Sequence, residues 1–99
     1  MRLTPWEISA IQRVTAEVAG PLARVSLFGS RTRDDLRGGD IDLLLELPVP
    51  TADKLGLSLR TGARLQMAIG ERKIDVLVTD PLTEETALIR AARRDGIVL

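Results

Sequence analysis

The chain has neither cysteine nor histidine. Thiol nucleophiles, disulfides and zinc sites of the usual ligand types are thereby excluded, and so is imidazole acid–base chemistry. Tyrosine is missing too, and there is one tryptophan and one phenylalanine, so little aromatic surface is on hand for stacking a nucleobase. A charge imbalance is also missing. Fourteen basic residues face fourteen acidic ones, which removes any bulk attraction to nucleic acid or to an anionic membrane. No apolar run approaches the roughly 20 residues of a membrane-spanning helix, and no signal-peptide pattern is evident. The expected location is therefore cytoplasmic. Any catalysis has to run on carboxylates, hydroxyls, lysine, arginine and bound metal.

The chain does have enough aliphatic material for a core. Of its 99 residues 44% are hydrophobic, mostly Leu, Ile, Val and Ala, and no linker, repeat or low-complexity stretch interrupts them. One domain over residues 1–99 is expected. Thr4-Pro5-Trp6-Glu7 forms a capping box with proline at the first helical position. Ile8, Ile11, Val14 and Val18 follow at helical spacing, and Gly20-Pro21 stops that helix. Trp6 is expected to cap the core in a staple-like contact. Residues 23–28 and 40–47 read as strands, the second closed by Pro48 and Pro50. Residues 51–69 read as a helix carrying Leu55, Leu59 and Met67, weakened by Gly56 and Gly62. Residues 73–79 read as a third strand. Asp80-Pro81 opens a last helix with Leu88, Ile89 and Ala92 for packing, and Ile97-Val98-Leu99 adds a short strand or docks in a groove. The expected fold class is α/β (α+β), a small mixed sheet flanked by helices.

The chemistry concentrates between Leu27 and Leu45. An apolar run ends in Phe28-Gly29-Ser30-Arg31, and after a polar loop comes Asp40-Ile41-Asp42-Leu43-Leu44-Leu45. A third acid lies inside an apolar strand, Ile74-Asp75-Val76. Side chains alternate along a strand, and two residues advance it by about 6.6 Å. Asp40 and Asp42 therefore share one face, while Ile41, Leu43, Leu45 and Leu47 form a core stripe on the other. Two carboxylates on one face repel unless a cation lies between them. Mg²⁺ suits the place, being a hard ion that takes carboxylate oxygens together with substrate phosphates. A pair of such ions stabilises both the attacking and the leaving oxygen of an in-line displacement. Asp75, supplied by a neighbouring strand, can ligate the second ion and help to deprotonate an attacking hydroxyl. Gly29 lets a phosphate come close to the main chain. Ser30 offers a hydroxyl and an N–H at the start of a helical turn, and Arg31, Arg33 and Arg37 add positive charge suited to phosphate.

These motifs give the chain a family likeness. An apolar residue, Gly-Ser, a spacer, Asp-apolar-Asp and a later Asp inside an apolar strand resemble the minimal nucleotidyltransferases of the DNA polymerase beta superfamily. Phe28-Gly29-Ser30, Asp40-Ile41-Asp42 and Ile74-Asp75-Val76 carry the resemblance, and the helix and strand pattern around them extends it over nearly all of the chain. The resemblance implies a polymerase-beta-like nucleotidyltransferase core. In that core Asp40, Asp42 and Asp75 are catalytic and hold two Mg²⁺ ions, and Gly29, Ser30, Arg31 and Arg33 bind the nucleotide.

The resemblance also implies a setting. Short members of this kind pair with a small helical HEPN protein, often a toxin, and some transfer AMP from ATP to a hydroxyl of that partner. The expected function is that of such an antitoxin, with a nucleoside triphosphate as substrate and no direct contact with nucleic acid or membrane. One alternative is a binding-only antitoxin with a vestigial site. Another is a stand-alone nucleotidyltransferase acting on a small hydroxylated molecule. Other polar residues have plainer readings: Glu46 as a solvated or salt-bridged acid, Lys73 as a solubilising residue at a strand edge, and Arg90, Arg93 and Arg94 as cations placed near a helix C-terminus.

Overall fold

A computed structural model describes residues 3–29, 40–70 and 72–99. In chain order the elements are α1 (Pro5–Ala19), β1 (Arg24–Phe28), β2 (Ile41–Glu46), α2 (Lys54–Ile69), β3 (Ile74–Thr79), α3 (Ala87–Asp95) and β4 (Ile97–Val98). The strands form one mixed sheet in the order β3-β2-β1-β4. The pairs β1–β2 and β1–β4 are antiparallel, whereas β2 and β3 are parallel and joined through α2. This is the expected α+β architecture. Among the described residues no helix is long and apolar enough to cross a membrane.

The start of α1 follows from its capping box. Glu7 N donates to Thr4 Oγ1 at 3.1 Å, and Thr4 N donates to Glu7 Oε1 at 2.9 Å. Two of the amides left without helical partners at this end, those of Thr4 and Glu7, are thus satisfied. The contact expected of Trp6 is made by another residue. Trp6 is 61% exposed, while Leu3, just before the cap, is buried in the core that Ile8 packs against. The position preceding the N-cap is the one that folds back over the first turn, and here it holds Leu3.

Helix α2 turns a different face inward from the one its large residues suggest. Leu57, Thr61, Leu65 and Ile69 are buried, whereas Leu55, Leu59 and Met67 are exposed, Met67 by 85%. The buried set recurs every four residues and forms one stripe. It includes Thr61, whose hydroxyl is satisfied by the Leu57 carbonyl at 2.7 Å, so a polar residue can occupy the core position. Gly56 has a local purpose. It donates its N–H to the capping Asp53 carboxylate at 2.9 Å, and a Cβ there would collide with that carboxylate.

The main core lies between the sheet and the helix pair α1–α2. It contains Ile11, Val14, Leu27, Ile41, Leu43, Leu45 and Leu65, so the core stripe of β2 is where alternation puts it. The opposite face is also covered in part. Leu44, between Asp42 and Glu46 on that face, is fully buried, and α3 packs there on β1 and β2 with Ile89 and Ala92 buried. Leu88, expected to pack, is exposed instead.

The last helix starts later than expected. It begins at Ala87, where the Thr86 hydroxyl accepts from Ile89 N at 3.2 Å. Asp80 does not open it, because its carboxylate is committed elsewhere. It accepts from Thr51 N at 2.8 Å, Leu82 N at 2.9 Å and Thr83 Oγ1 at 3.0 Å, with Lys54 Nζ at 3.4 Å. Asp80 thus ties the end of β3 to the approach of α2. Glu46 is salt-bridged, with Arg93 Nε at 3.6 Å. Arg93 and Arg94 stand in the last turn of α3, and Arg93 also meets Glu85 at 2.6 Å.

Candidate active site

The site is assembled by strand register. In the parallel pair, Ile41 lies opposite Ile74 and Asp42 opposite Asp75, and Ile41 N donates to Lys73 O at 2.9 Å. Alternation then places Asp40, Asp42, Lys73 and Asp75 on one face of the sheet. The result is a two-by-two arrangement across the strand ends, with Asp40 just before β2 and Asp42 on it, and Lys73 just before β3 and Asp75 on it. The hydrophobic residues between them, Ile41 and Ile74, turn to the other face and join the core or pack against it.

The three acids differ in environment. Asp40 and Asp75 are exposed, and Asp42 is half-buried. Burial, followed by the negative charges of Asp75 and Asp40, pushes the Asp42 carboxyl above the usual carboxylate range. Lys73 works in the opposite direction without cancelling them, and a hydrogen bond with Asp75 adds to the rise. Two like-charged groups in such contact share a proton or bind a cation. Lys73 is 68% exposed and places Nζ 4.0 Å from Asp40 Oδ2 and 3.9 Å from Asp75 Oδ2. It belongs to the cluster rather than acting only as a solubilising edge residue. Alternation alone gives its place beside Asp75, because residues 73 and 75 must share a face, whereas its approach to Asp40 depends on the pairing of β2 with β3.

Gly29 closes the site on the β1 side. Phe28 is the register partner of Asp42, and the next residue turns with φ +76°. A Cβ on Gly29 would fall 2.5 Å from Asp42 Oδ2. Glycine thus meets two demands there, a left-handed backbone and close approach of the main chain to the carboxylate. Ser30, Arg31 and Arg33, expected to bind nucleotide with Gly29, lie outside the described residues.

A cleft of about 680 Å³ opens beside the acids. Asp42, Asp75 and Phe28 lie along it together with Ser58 and Leu59 of α2 and Leu88 of α3. The Ser58 hydroxyl donates to Val76 O at 2.6 Å, which fixes α2 against the outer side of β3. The cleft is therefore acidic at one part of its wall and apolar at another.

Among the described residues, no three acidic side chains close around one point in the way a complete protein cage would. The donor set nevertheless suits Mg²⁺, which is commonly held by one or two carboxylates together with substrate phosphates and water. Asp42 and Asp75 supply adjoining hard oxygen donors, and their mutual repulsion is what such an ion relieves.

Comparison with known proteins gives a family for this arrangement. The family described as nucleotidyltransferase domain matches residues 10–98, a span that takes in all four strands and Gly29, Asp40, Asp42, Lys73 and Asp75. No curated protein matches the chain.

Proposed function

Because the chain belongs to the nucleotidyltransferase domain family, whose members generally use a nucleoside triphosphate and a divalent metal, we propose that it transfers AMP from ATP to a hydroxyl of a HEPN-type helical protein and so acts as that protein's antitoxin. One observation carries the reading: Asp42 and Asp75 face each other on adjoining strands beside the main chain of Gly29. General nucleotidyl transfer follows from the family. The donor ATP, the two Mg²⁺ ions and the protein acceptor are parts of the proposal.

In this reading Asp42 and Asp75, with Asp40, hold Mg²⁺. When bound, the metal neutralises the triphosphate and makes the acceptor hydroxyl more acidic. Gly29 lets the phosphates approach the backbone, and Ser30, Arg31 and Arg33 grip them. The acceptor oxygen forms a bond to the α-phosphorus, the bond to the β-phosphate oxygen breaks, and pyrophosphate leaves. Asp75, the more exposed of the facing pair, takes the hydroxyl proton. Leu59 and Leu88 border the same cleft with exposed apolar surface, which supports a protein acceptor over a small polar one.

The test is incubation with α-labelled ATP, Mg²⁺ and a purified short HEPN-type helical protein offered as acceptor. Label on the partner together with released pyrophosphate is expected. Neutralisation of the partner without label, from any of the four common nucleotides, would establish the binding-only reading instead.

A further inference from the structure

We propose that Lys73 is a tethered counter-ion of the acid cluster, holding the carboxylates of Asp40 and Asp75 together across two strands and yielding its place when a divalent cation binds. The inference deepens the reading of the acids as a metal site and rests on it.

Lys73 is fixed at its root by the 2.9 Å hydrogen bond from Ile41 N to its carbonyl, so its Cα stands beside Asp40 at the mouth of the parallel pair. Its side chain shares a face with Asp75, two residues on, and with Asp40 and Asp42 across the strand gap. Three acids, Asp40, Asp42 and Asp75, stand on this face around the strand gap, and Lys73 is a cation that the strands place among them. Two of the acids, one on each strand, share its single ammonium.

At 4.0 and 3.9 Å the ammonium lies beyond the 2.7–3.2 Å typical of a direct N–H···O bond. It is shared between two acids and locked to neither. The side chain is 68% exposed, so it can swing out on its four-carbon stem at little steric cost. An arginine would offer a planar fork that fastens to a carboxylate in two places. Lysine is a compact point charge that leaves easily. These features describe a placeholder: strong enough to keep the carboxylates apposed, weak enough to be displaced by a doubly charged ion at the same oxygens.

Two consequences follow. Lys73 and the metal compete for Asp40 and Asp75, so Lys73 weakens divalent binding in the absence of nucleotide. The displaced ammonium remains tethered beside the site, where a triphosphate supplies new negative charge. Binding of nucleotide therefore removes the competition, and metal and nucleotide bind cooperatively through this side chain.

The experiment is Mn²⁺ titration of the full chain, read by the electron paramagnetic resonance signal of free Mn²⁺, with wild type, Lys73→Met and Lys73→Arg. Lys73→Met should bind Mn²⁺ more tightly at low salt, by about 3- to 10-fold for a unit charge removed at this range. The gain should shrink as salt screens it. Lys73→Arg should restore wild-type or weaker binding. A non-hydrolysable triphosphate analogue should tighten Mn²⁺ binding more in wild type than in Lys73→Met. Unchanged or weaker Mn²⁺ binding by Lys73→Met, beside a wild type that binds, would overturn the role of Lys73 and leave the metal site standing. A wild type that takes up no Mn²⁺ at millimolar concentration would overturn both. The exposure of Lys73 makes misfolding of these variants a poor explanation, and the circular dichroism melt checks it.

Discussion

Asp42 and Asp75 are register partners on adjacent parallel strands, and the negative charge of Asp75 helps to hold the Asp42 carboxyl above the usual carboxylate range. Neither strand needs an acid at that position for its fold, since the core stripes of β2 and β3 face the other way. Replacing either acid by asparagine should therefore separate chemistry from stability. Asp42→Asn and Asp75→Asn should each lower nucleotide transfer by about 10²–10³-fold, as for other groups that stabilise developing charge. The melting temperature of Asp42→Asn should be unchanged or higher, because a like-charge contact is relieved. Parallel transfer assays and thermal melts decide this. Full activity in both variants would remove the pair from the mechanism.

Gly29 is tied to the same carboxylate. Gly29→Ala puts an L side chain at φ +76° and a Cβ against Asp42 Oδ2. The backbone strain alone should cost about 1–2 kcal/mol, and displacement of Asp42 should add to it. The two effects can be separated by a double-mutant cycle with Asp42→Ala, which removes the clashing carboxylate. The alanine at position 29 should then cost less than in wild type, with the difference appearing as a coupling energy in denaturant melts. Strict additivity would show that Gly29 answers only to the turn.

Asp80 gives a pH prediction far from the acid cluster. Its carboxyl is held down to about 2 from the ordinary 3.8, chiefly by the hydrogen bond from Thr51 N, helped by Thr83, Leu82 and the charge of Lys54 against the opposing effect of burial. A carboxylate with a lowered folded-state pKa stabilises the protein above its unfolded value and loses that contribution as pH falls through the folded one. Stability should thus decline between about pH 4 and pH 2 through this group. Asp80→Asn should be less stable at neutral pH and show a flatter decline across that window. Chemical denaturation at half-unit pH steps measures it.

The sequence was most readable where local chemistry and periodicity agree. The capping box of α1, the core stripe Ile41-Leu43-Leu45 and the helix-stopping Gly20 all stand where residue type alone puts them. Gly29, Asp40, Asp42 and Asp75 are brought to one end of the sheet because order in the chain and strand alternation constrain them strongly. What escaped is set by tertiary contact. Nothing local distinguishes Leu57 and Leu65 from Leu55 and Leu59, since both sets are compatible with a helical stripe and only the docking against α1 and β3 chooses. Asp80-Pro81 has the residue types of a helix start, yet Thr51, distant in sequence, claims the carboxylate. Lys73 looked like an edge residue because its pairing with Asp40 exists only once β2 and β3 are side by side.

The facing of α2 is open to direct measurement. Leu65 is fully buried, and Met67, two residues on, is 85% exposed. Leu65→Ala should cost about 2–5 kcal/mol, from lost burial and the cavity left behind. Met67→Gln should stay within about 0.5 kcal/mol of wild type. Leu59→Gln should likewise leave stability nearly unchanged while weakening capture of a protein acceptor, because Leu59 borders the cleft. Equal destabilisation by Leu65→Ala and Met67→Gln would mean that the helix is rotated from the orientation described.

Base selectivity is the remaining question that the side chains address. Gly29 and the phosphate-facing groups proposed beside it meet only what all nucleotides share. Phe28 is the aromatic residue along the cleft, and Trp6, on α1, is not among the residues that line it. Stacking on one aromatic side chain is worth roughly 1–3 kcal/mol per base and tolerates every base. The isolated chain should therefore bind ATP, GTP, CTP and UTP with Mg²⁺ at affinities within about tenfold of each other, and selectivity should sharpen when the acceptor protein covers the apolar part of the cleft. Phe28→Leu should weaken all four alike if the ring stacks on the base, and none if it only fills the strand end. Calorimetric titration of the four triphosphates, with and without the partner, distinguishes these outcomes. Strong preference for ATP by the lone chain would require polar base contacts, for which the described cleft walls offer, besides the acids Asp42 and Asp75, the side chains of Ser58 and Gln66.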